Sequence, residues 1–350
     1  MTHSPTNNSI PLERKVEFLR DPHAYGEAPD FTVGAIETHM SWVFLTTRHA
    51  WKLKKPVWHE HLDFRSVAAR HYYCEEELRL NRRLAPNVYL DVEPLCIDWR
   101  GHLHLGPPGR PIDWLVKMQR LAERDMLDHA VRDLYVTRRD ILRLARCLTQ
   151  FYSTAEPAGI SVAAYLAGLE REIDANLRDL CRSEYGLSAG HIERLCETQR
   201  AVLQERRSVF VARVEDGHIV EGHGDLRPEH VCLHPQIAII DCLEFSRELR
   251  LVDPIDELAF LTLELERQFA SGHAATLMNA YYDVSGDRPH PLLACFYRSL
   301  RAAVRARLAI RHLDEERFRD VAEWPKRATA YLMLAQKYQD ACNSLSDLPS

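Results

Sequence analysis

One segment limits the fold of this 350-residue chain more than any other. It is HIVEGHGDLRPEHVCLHPQIAIIDCLEF, His218 to Phe245. On both sides of it, from about residue 120 to about Asn343, apolar residues recur at helical spacing. Within it, HIVEGH, VCLH and IAIIDCL are short β-forming runs separated by turn residues. A β hairpin inserted into a helical stretch calls for a mixed fold. The apolar run IAII also ends in Asp241. A carboxylate at the end of a buried strand is costly unless it is paired or holds a cation.

The N-terminal third has a different texture. Residues 1–30 are polar, with Pro5, Pro11, Pro22 and Pro29, and read as an arm with a short helix around Leu12 to Leu19. FTVGAIET, WVFLTT and AWKLKKPV then form a three-stranded meander, with turns at HMS and RH. Phe64 to Leu84 reads as a helix that Pro86 stops. Val92–Ile97 and Trp114–Met118 are further strands, joined by the hairpin or loop GHLHLGPPGRP. Beyond them, Thr137 and Asp140 make a capping-box-like start for one helix, and Ser161 starts a second. A third periodic segment runs from about Ser188 to Val211. Asp253 with Pro254 caps a fourth. Pro291 stands near another start, and Pro325 is expected to interrupt the last long stretch. The expected class is α+β. The expected domains are an arm over 1–30, a β-rich lobe over 31–120 and a helical lobe over 121–350. The last carries the loop 223–230 and the segment 239–245. A cleft between two such lobes suits a cofactor-sized ligand.

Composition excludes several functions. A net charge of -6 argues against a nucleic-acid surface as the main business. No run approaches 18 apolar residues, and the first 20 residues contain no apolar signal core, so neither a membrane span nor a secretion signal is expected. The nine cysteines are scattered without a CxxC pair, as reduced thiols in a cytoplasmic protein are.

The chemistry-bearing residues fit the few parts that phosphoryl transfer needs. Asp225 follows His223 and Gly224 in a tight turn, where its carboxylate can orient an attacking hydroxyl. Arg227 is placed to reach a transferred phosphate, and His223 to position the loop by hydrogen bonding. Asp241 is a candidate for a metal held on nucleotide phosphates. The 16-residue Asp225–Asp241 spacing suits a hairpin returning both carboxylates to one cleft edge. Lys52 and Lys54 share one strand face. Glu76 and Glu77, on the following helix, are the candidates to fix one of them against phosphates.

HGDLRPEH, IIDCLEF and DPIDELAFL, with AWKLKK and YCEEELRLNRRLAP upstream, resemble the aminoglycoside phosphotransferase-like branch of the protein-kinase-like fold. Within it, ETHMSWVFL, WKLKKPV, EEELRLNRRLAPNVYL and DWLVKMQRL are similar to a bacterial group of aminoglycoside phosphotransferase family proteins. The resemblance covers roughly residues 30–315. It implies a bilobal fold with a small antiparallel β lobe and a larger, mainly helical lobe. It implies Asp225 as the catalytic-loop aspartate, Asp241 as the metal-binding aspartate, Lys52 as the strand lysine with Lys54 as the fallback, and Glu76 as its partner with Glu77 close behind. Met118 to Leu121 would face adenine. Some members of the group carry a C-terminal P-loop domain. No GxxxxGK[ST] stretch occurs here, so a chain without that domain is expected.

Two positions depart from the pattern. THMS replaces the glycine-rich loop, with Ser41 as the hydroxyl that would donate to a phosphate. His230 stands where a second metal-binding Asn is usual, and imidazole suits softer ions than magnesium. The metal set is then Asp241, His230 and Glu244, with Mg2+ as the ion and Mn2+ as the other candidate. The resulting expectation is a cytoplasmic, ATP-dependent phosphotransferase acting on a hydroxyl of a small molecule, with no nucleic-acid or membrane partner. The alternative is a nucleotide-binding pseudokinase with a regulatory or scaffolding role.

Overall fold

The computed structural model describes residues 10–59, 62–315 and 321–345. They form two compact units. The first comprises the chain up to His129 together with Glu229–Glu248, and the second comprises Ala130–Pro228 and the chain from Leu249.

The first unit opens with α1 (Leu12–Arg20), followed by β1 (Gly34–Glu37), β2 (Ser41–Leu45) and β3 (His49–Lys54). A short ribbon of β4 (Trp58–His59) and β5 (Leu62–Asp63) leads into α2 (Val67–Asn81). The Ser66 hydroxyl caps α2 by accepting from the Ala69 N–H at 3.0 Å. Three more strands follow: β6 (Tyr89–Ile97), β7 (Leu103–Leu105) and β8 (Arg110–Gln119). The six-stranded antiparallel sheet runs β1-β2-β3-β8-β6-β7. The segment GHLHLGPPGRP thus contains a strand of its own, β7.

Side-chain alternation along β3 builds two cores. Trp51 and Leu53 face Val16 and Leu19 of α1, with Phe44, Leu95, Ile112 and Leu115. Ala50 faces the other way, to Cys74 and Leu78 of α2, with Val116 and Met118. The residues read as an arm therefore include a helix that closes one face of the sheet.

The second unit begins within α3 (Leu127–Arg132), which straddles the division. It continues with α4 (Arg138–Thr154), α5 (Val162–Leu180), α6 (Ala189–Glu205) and α7 (Arg207–Glu215). The expected caps are present: Thr137 and Asp140 form a reciprocal capping box, and the Ser161 hydroxyl accepts from Ala164. The β island splits in two. Its first strand, β9 (Val220–Glu221), pairs with β12 (Leu251–Val252) in the second unit. Its later strands, β10 (Val231–Cys232) and β11 (Ala238–Ile239), pair with each other in the first unit. The segment expected within the helical lobe instead packs with the sheet unit. Cys232 and Ala238 join the α2-side core, and the Ile239 N–H donates to the Leu84 carbonyl at 3.3 Å.

The helices α8 (Pro254–Arg267), α9 (Ser271–Ser285), α10 (Pro291–Ile310) and α11 (Glu323–Leu345) complete the second unit. Every residue of α8 from Pro254 to Leu265 is buried, which marks it as the central helix. Pro325 does not interrupt a helix. It lies in the first turn of α11, where its missing N–H has no carbonyl to serve. Among the described residues, no helix is long and apolar enough to cross a membrane.

A buried triad ties α1 and α2 to the sheet. Asp113, within β8, accepts from Lys15 Nζ at 2.7 Å and from Arg70 Nε and Nη2, both at 2.8 Å. Removing its carboxylate strands two buried cations, which costs about 3–5 kcal/mol. Asp113→Ala is expected to lower stability by that amount in urea denaturation. A loss under about 1 kcal/mol would contradict this account.

Candidate functional site

Two groups of side chains carry the candidate chemistry, one in each unit. In the first unit, the pleat of β3 turns Lys52 and Lys54 toward α2. Glu77 meets both. Its Oε1 accepts from Lys52 at 2.8 Å and its Oε2 from Lys54 at 2.5 Å. Lys52 also donates to Asp241 Oδ1 at 2.7 Å, and Lys54 donates to Glu244. A chain of alternating charge results: Asp241, Lys52, Glu77, Lys54, Glu244. Glu77 and Lys54 are sealed from water, whereas the Asp241 side chain is 48% exposed. The charge chain is therefore open to ligands at the Asp241 end.

Burial alone would discharge these groups, but the pairing outweighs it. Burial lowers the Lys52 pKa, while Asp241, Glu77 and Glu244 raise it, and the net shift is well upward. Lys54 moves the same way, with Glu244 and Glu77 opposing burial. Burial raises Glu77, the two lysines lower it, and the net shift is below its ordinary 4.5. All three groups are charged at neutral pH.

Glu76, the expected partner, is not in this chain of charges. It pairs with Arg79 at 2.8 Å, one turn along the outer side of α2. One residue is about 100° of helix, which separates the half-buried Glu76 from the fully buried Glu77. The lysine choice also dissolves, since both lysines reach Glu77.

Local structure fixes Asp241. The β10–β11 ribbon brings His230, just before it, beside Asp241, just after it. His230 Nε2 lies 3.5 Å from Asp241 Oδ2. The Asp241 backbone is left-handed, φ 62°, a region that Asp tolerates better than most residues. Its N–H donates to the Tyr89 hydroxyl at 3.1 Å, and the Cys242 N–H donates to Asn81 Oδ1 at 2.9 Å. A carboxylate and an imidazole at this separation are two ligands of the kind a divalent cation accepts, with nitrogen favouring Mn2+ relative to Mg2+. Glu244, expected with them, is instead occupied by Lys54. Ser41 is buried, and its hydroxyl is 3.0 Å from that of Thr38 rather than turned outward. Met118 is buried in the α2-side core beside Leu121.

In the second unit, β9 leads into the loop that carries Asp225. The His223 ring is buried, and its Nδ1 accepts from the Asp225 N–H at 3.3 Å. That bond makes His223 a support of the turn. Arg227 lies over the Asp225 carboxylate, with Nε 3.0 Å and Nη2 2.9 Å from Oδ2. The loop rests on Glu257, which sequence reasoning missed. This buried carboxylate accepts from the Gly224 N–H and, at 2.8 Å, from the Tyr152 hydroxyl. A Cβ on Gly222 would sit 2.6 Å from Glu257 Oε2 and from Val252 Cγ2, so only glycine fits there. The available signal was an acidic residue inside the apolar run of IDELAFLTL. Asp256, beside Glu257 on α8, makes a bidentate pair with Arg301 at 2.7 and 2.6 Å. Asp253 caps α8 through the Ile255 N–H and is held by Arg213. Asp225 and Asp241 belong to different units.

No protein-family model matches the chain. It is 31% identical over 291 residues to uncharacterized proteins of Mycobacterium tuberculosis (strain H37Rv) and Mycobacterium bovis. The match covers 82% of this chain but 56% of theirs, so the chain spans about half the length of these curated relatives. Solved structures match it along nearly its whole length. A choline/ethanolamine kinase family protein from Mesorhizobium loti gives a TM-score of 0.53 at 16% identity, covering 96% of this chain and 95% of that one. Choline kinase from Cryptosporidium parvum gives 0.55 at 8% identity, covering 96% of each. A spectinomycin phosphotransferase, solved with ADP and spectinomycin, gives 0.52 at 12% identity, covering 88% of this chain and 93% of that one. The antiparallel sheet unit, the larger helical unit and these likenesses together establish that the chain has the protein-kinase-like fold of the aminoglycoside phosphotransferases and the choline/ethanolamine kinases.

Proposed function

We propose that the protein is an ATP-dependent phosphotransferase that moves the γ-phosphoryl group to a hydroxyl of a small molecule. The observation that carries this reading is the Lys52–Glu77 pair with Asp241 on the same lysine. A cation held by a buried counter-charge beside a half-exposed carboxylate is what a metal–triphosphate needs. The solved spectinomycin phosphotransferase with bound ADP supports a nucleotide as donor.

In this reading, Lys52 donates to phosphate oxygens, and Glu77 keeps it charged and oriented. Asp241 and His230 would hold a divalent cation, which would supply charge neutralisation on the phosphates. Asp225 orients the acceptor hydroxyl and takes its proton as the new P–O bond forms. The old bond breaks toward ADP. Arg227, already on Asp225, offers a second cation for the transferred group. The buried Ser41 and the THMS turn favour a second reading, a nucleotide-binding pseudokinase, because that turn contains no glycine to let its backbone approach phosphates.

A thermal-shift series with ATP or GTP and Mg2+ or Mn2+ tests the first requirement. Stabilisation by at least one nucleotide–metal pair is expected, and none at all would remove both readings. Asp241→Ala is expected to abolish that stabilisation. Conditions that stabilise the protein then go into an ATP-consumption screen over amino alcohols, sugars and aminoglycosides. In that assay Asp225→Asn is expected to lower turnover about 10²–10⁴-fold while nucleotide affinity stays within a few-fold. If Asp225→Asn leaves cellular function intact, the pseudokinase reading replaces the enzyme. His230→Asn is expected to shift the ratio of Mn2+- to Mg2+-supported activity toward Mg2+; an unchanged ratio would take His230 out of the metal set.

A further inference from the structure

The alternating charges form a closed loop. Asp241 and Glu244, its two ends, lie three residues apart in one tetrapeptide. The lysines that take them lie two apart on β3 and share the two oxygens of Glu77. We propose that Lys54 and Glu244 are positioning residues that clamp the far end of the 241–244 tetrapeptide. They hold Asp241 in its metal-binding placement without touching metal or nucleotide themselves. The inference deepens the phosphotransferase reading and rests on it.

Three observations carry it. First, access: the Lys54 side chain is 1% exposed and that of Glu244 is 9%, while Asp241 is 48% exposed. Lys54 also packs its ammonium 5.1 Å from the centre of the buried Phe64 ring. A ligand that meets Asp241 does not meet Lys54.

Second, charge. Three carboxylates face two ammonium groups, and Lys54 holds the two buried ones, Glu77 and Glu244. Without Lys54, Glu77 and Glu244 would be two buried anions with Lys52 as the remaining partner. Lys52 would be drawn inward, away from Asp241.

Third, backbone. Asp241 holds a left-handed φ of 62°, fixed by Tyr89 at its own N–H and by Asn81 at the next. The Lys54–Glu244 pair is a further restraint on the same short segment, at its far end. Glu244, grouped with the metal ligands on sequence grounds, thereby becomes a support of the ligand three residues before it.

The test uses the full chain, Mn2+ and ATP. Binding is followed by the electron paramagnetic resonance of Mn2+, and the waters on the bound ion by proton relaxation. Lys54→Met and Glu244→Gln are each expected to weaken Mn–ATP binding about 10–100-fold, as loss of a support for a metal ligand does. The double variant should be no weaker than the worse single one, because both remove the same interaction. The number of exchanging waters on the bound ion should stay at the wild-type value in Glu244→Gln.

An extra water on Mn2+ in Glu244→Gln would make Glu244 a ligand and overturn the proposal. So would a lowered Tm with unchanged Mn–ATP affinity, which is the mark of a merely structural pair. If Lys54→Met does not fold, Glu244→Gln alone decides by the same two readouts. A wild-type protein that binds no Mn–ATP would overturn the phosphotransferase reading and this inference with it, an outcome distinct from the others.

Discussion

The sheet unit depends on one carboxylate shared between two ammonium groups. Glu77 is buried where an isolated charge would not survive, and each oxygen has its own lysine. The arrangement settles several matters together. It keeps both lysines charged despite burial, fixes α2 against β3, and leaves the outward end of Lys52 directed at Asp241. A single lysine would satisfy half of Glu77 and leave its other oxygen to be desolvated without return. The second lysine is therefore part of the reason the first can sit where it does.

The helical unit solves a related problem with a different group. The loop that carries Asp225 has little regular structure of its own, since β9 contributes Val220 and Glu221 alone. Its order comes from below, through Glu257 on the fully buried stretch of α8. The same carboxylate oxygen that excludes a side chain at residue 222 also takes the Tyr152 hydroxyl. A rigid helix interior thus lends its precision to a turn, and buried His223 adds a second support.

Much of this was legible in the sequence, for identifiable reasons. Helix starts at Thr137, Ser161 and Asp253 carry local signals, because a cap is a contact between near neighbours. Five of the six strands of the sheet were legible from β-forming runs and the turns between them, and β7 was not, because it lies in a Gly/Pro-rich segment. The likeness of HGDLRPEH, IIDCLEF and AWKLKK to a known pattern pointed to Asp225, Asp241 and Lys52. What was not legible depended on contacts far apart in the chain. Glu76 and Glu77 are adjacent and chemically the same, and only the rotation of α2 against β3 separates them. Glu257 lies 33 residues from the N–H it accepts, with nothing local to announce it. Ser41 looked exposed in a polar turn, but Thr38 folds back over its hydroxyl. The allegiance of 229–248 to the sheet unit was hidden for the same reason, since Cys232 and Ala238 read as ordinary apolar residues until their neighbours are known.

The Lys52–Asp241 contact has a thermodynamic consequence. On the proposed phosphotransferase reading, Lys52 is a tethered cation lying where a metal would go, and Asp241 is a tethered anion lying where a phosphate would go. Each blocks the other's ligand. An incoming cation alone must displace an ammonium group, and an incoming polyanion alone must displace a carboxylate. Arriving together, they exchange one ion pair for two. If both bind there as proposed, linkage requires that metal and nucleotide each raise the affinity for the other by the same factor. On that reading the resting protein would discriminate against both when they come singly, and the selectivity for a metal-loaded nucleotide would lie in a single salt bridge.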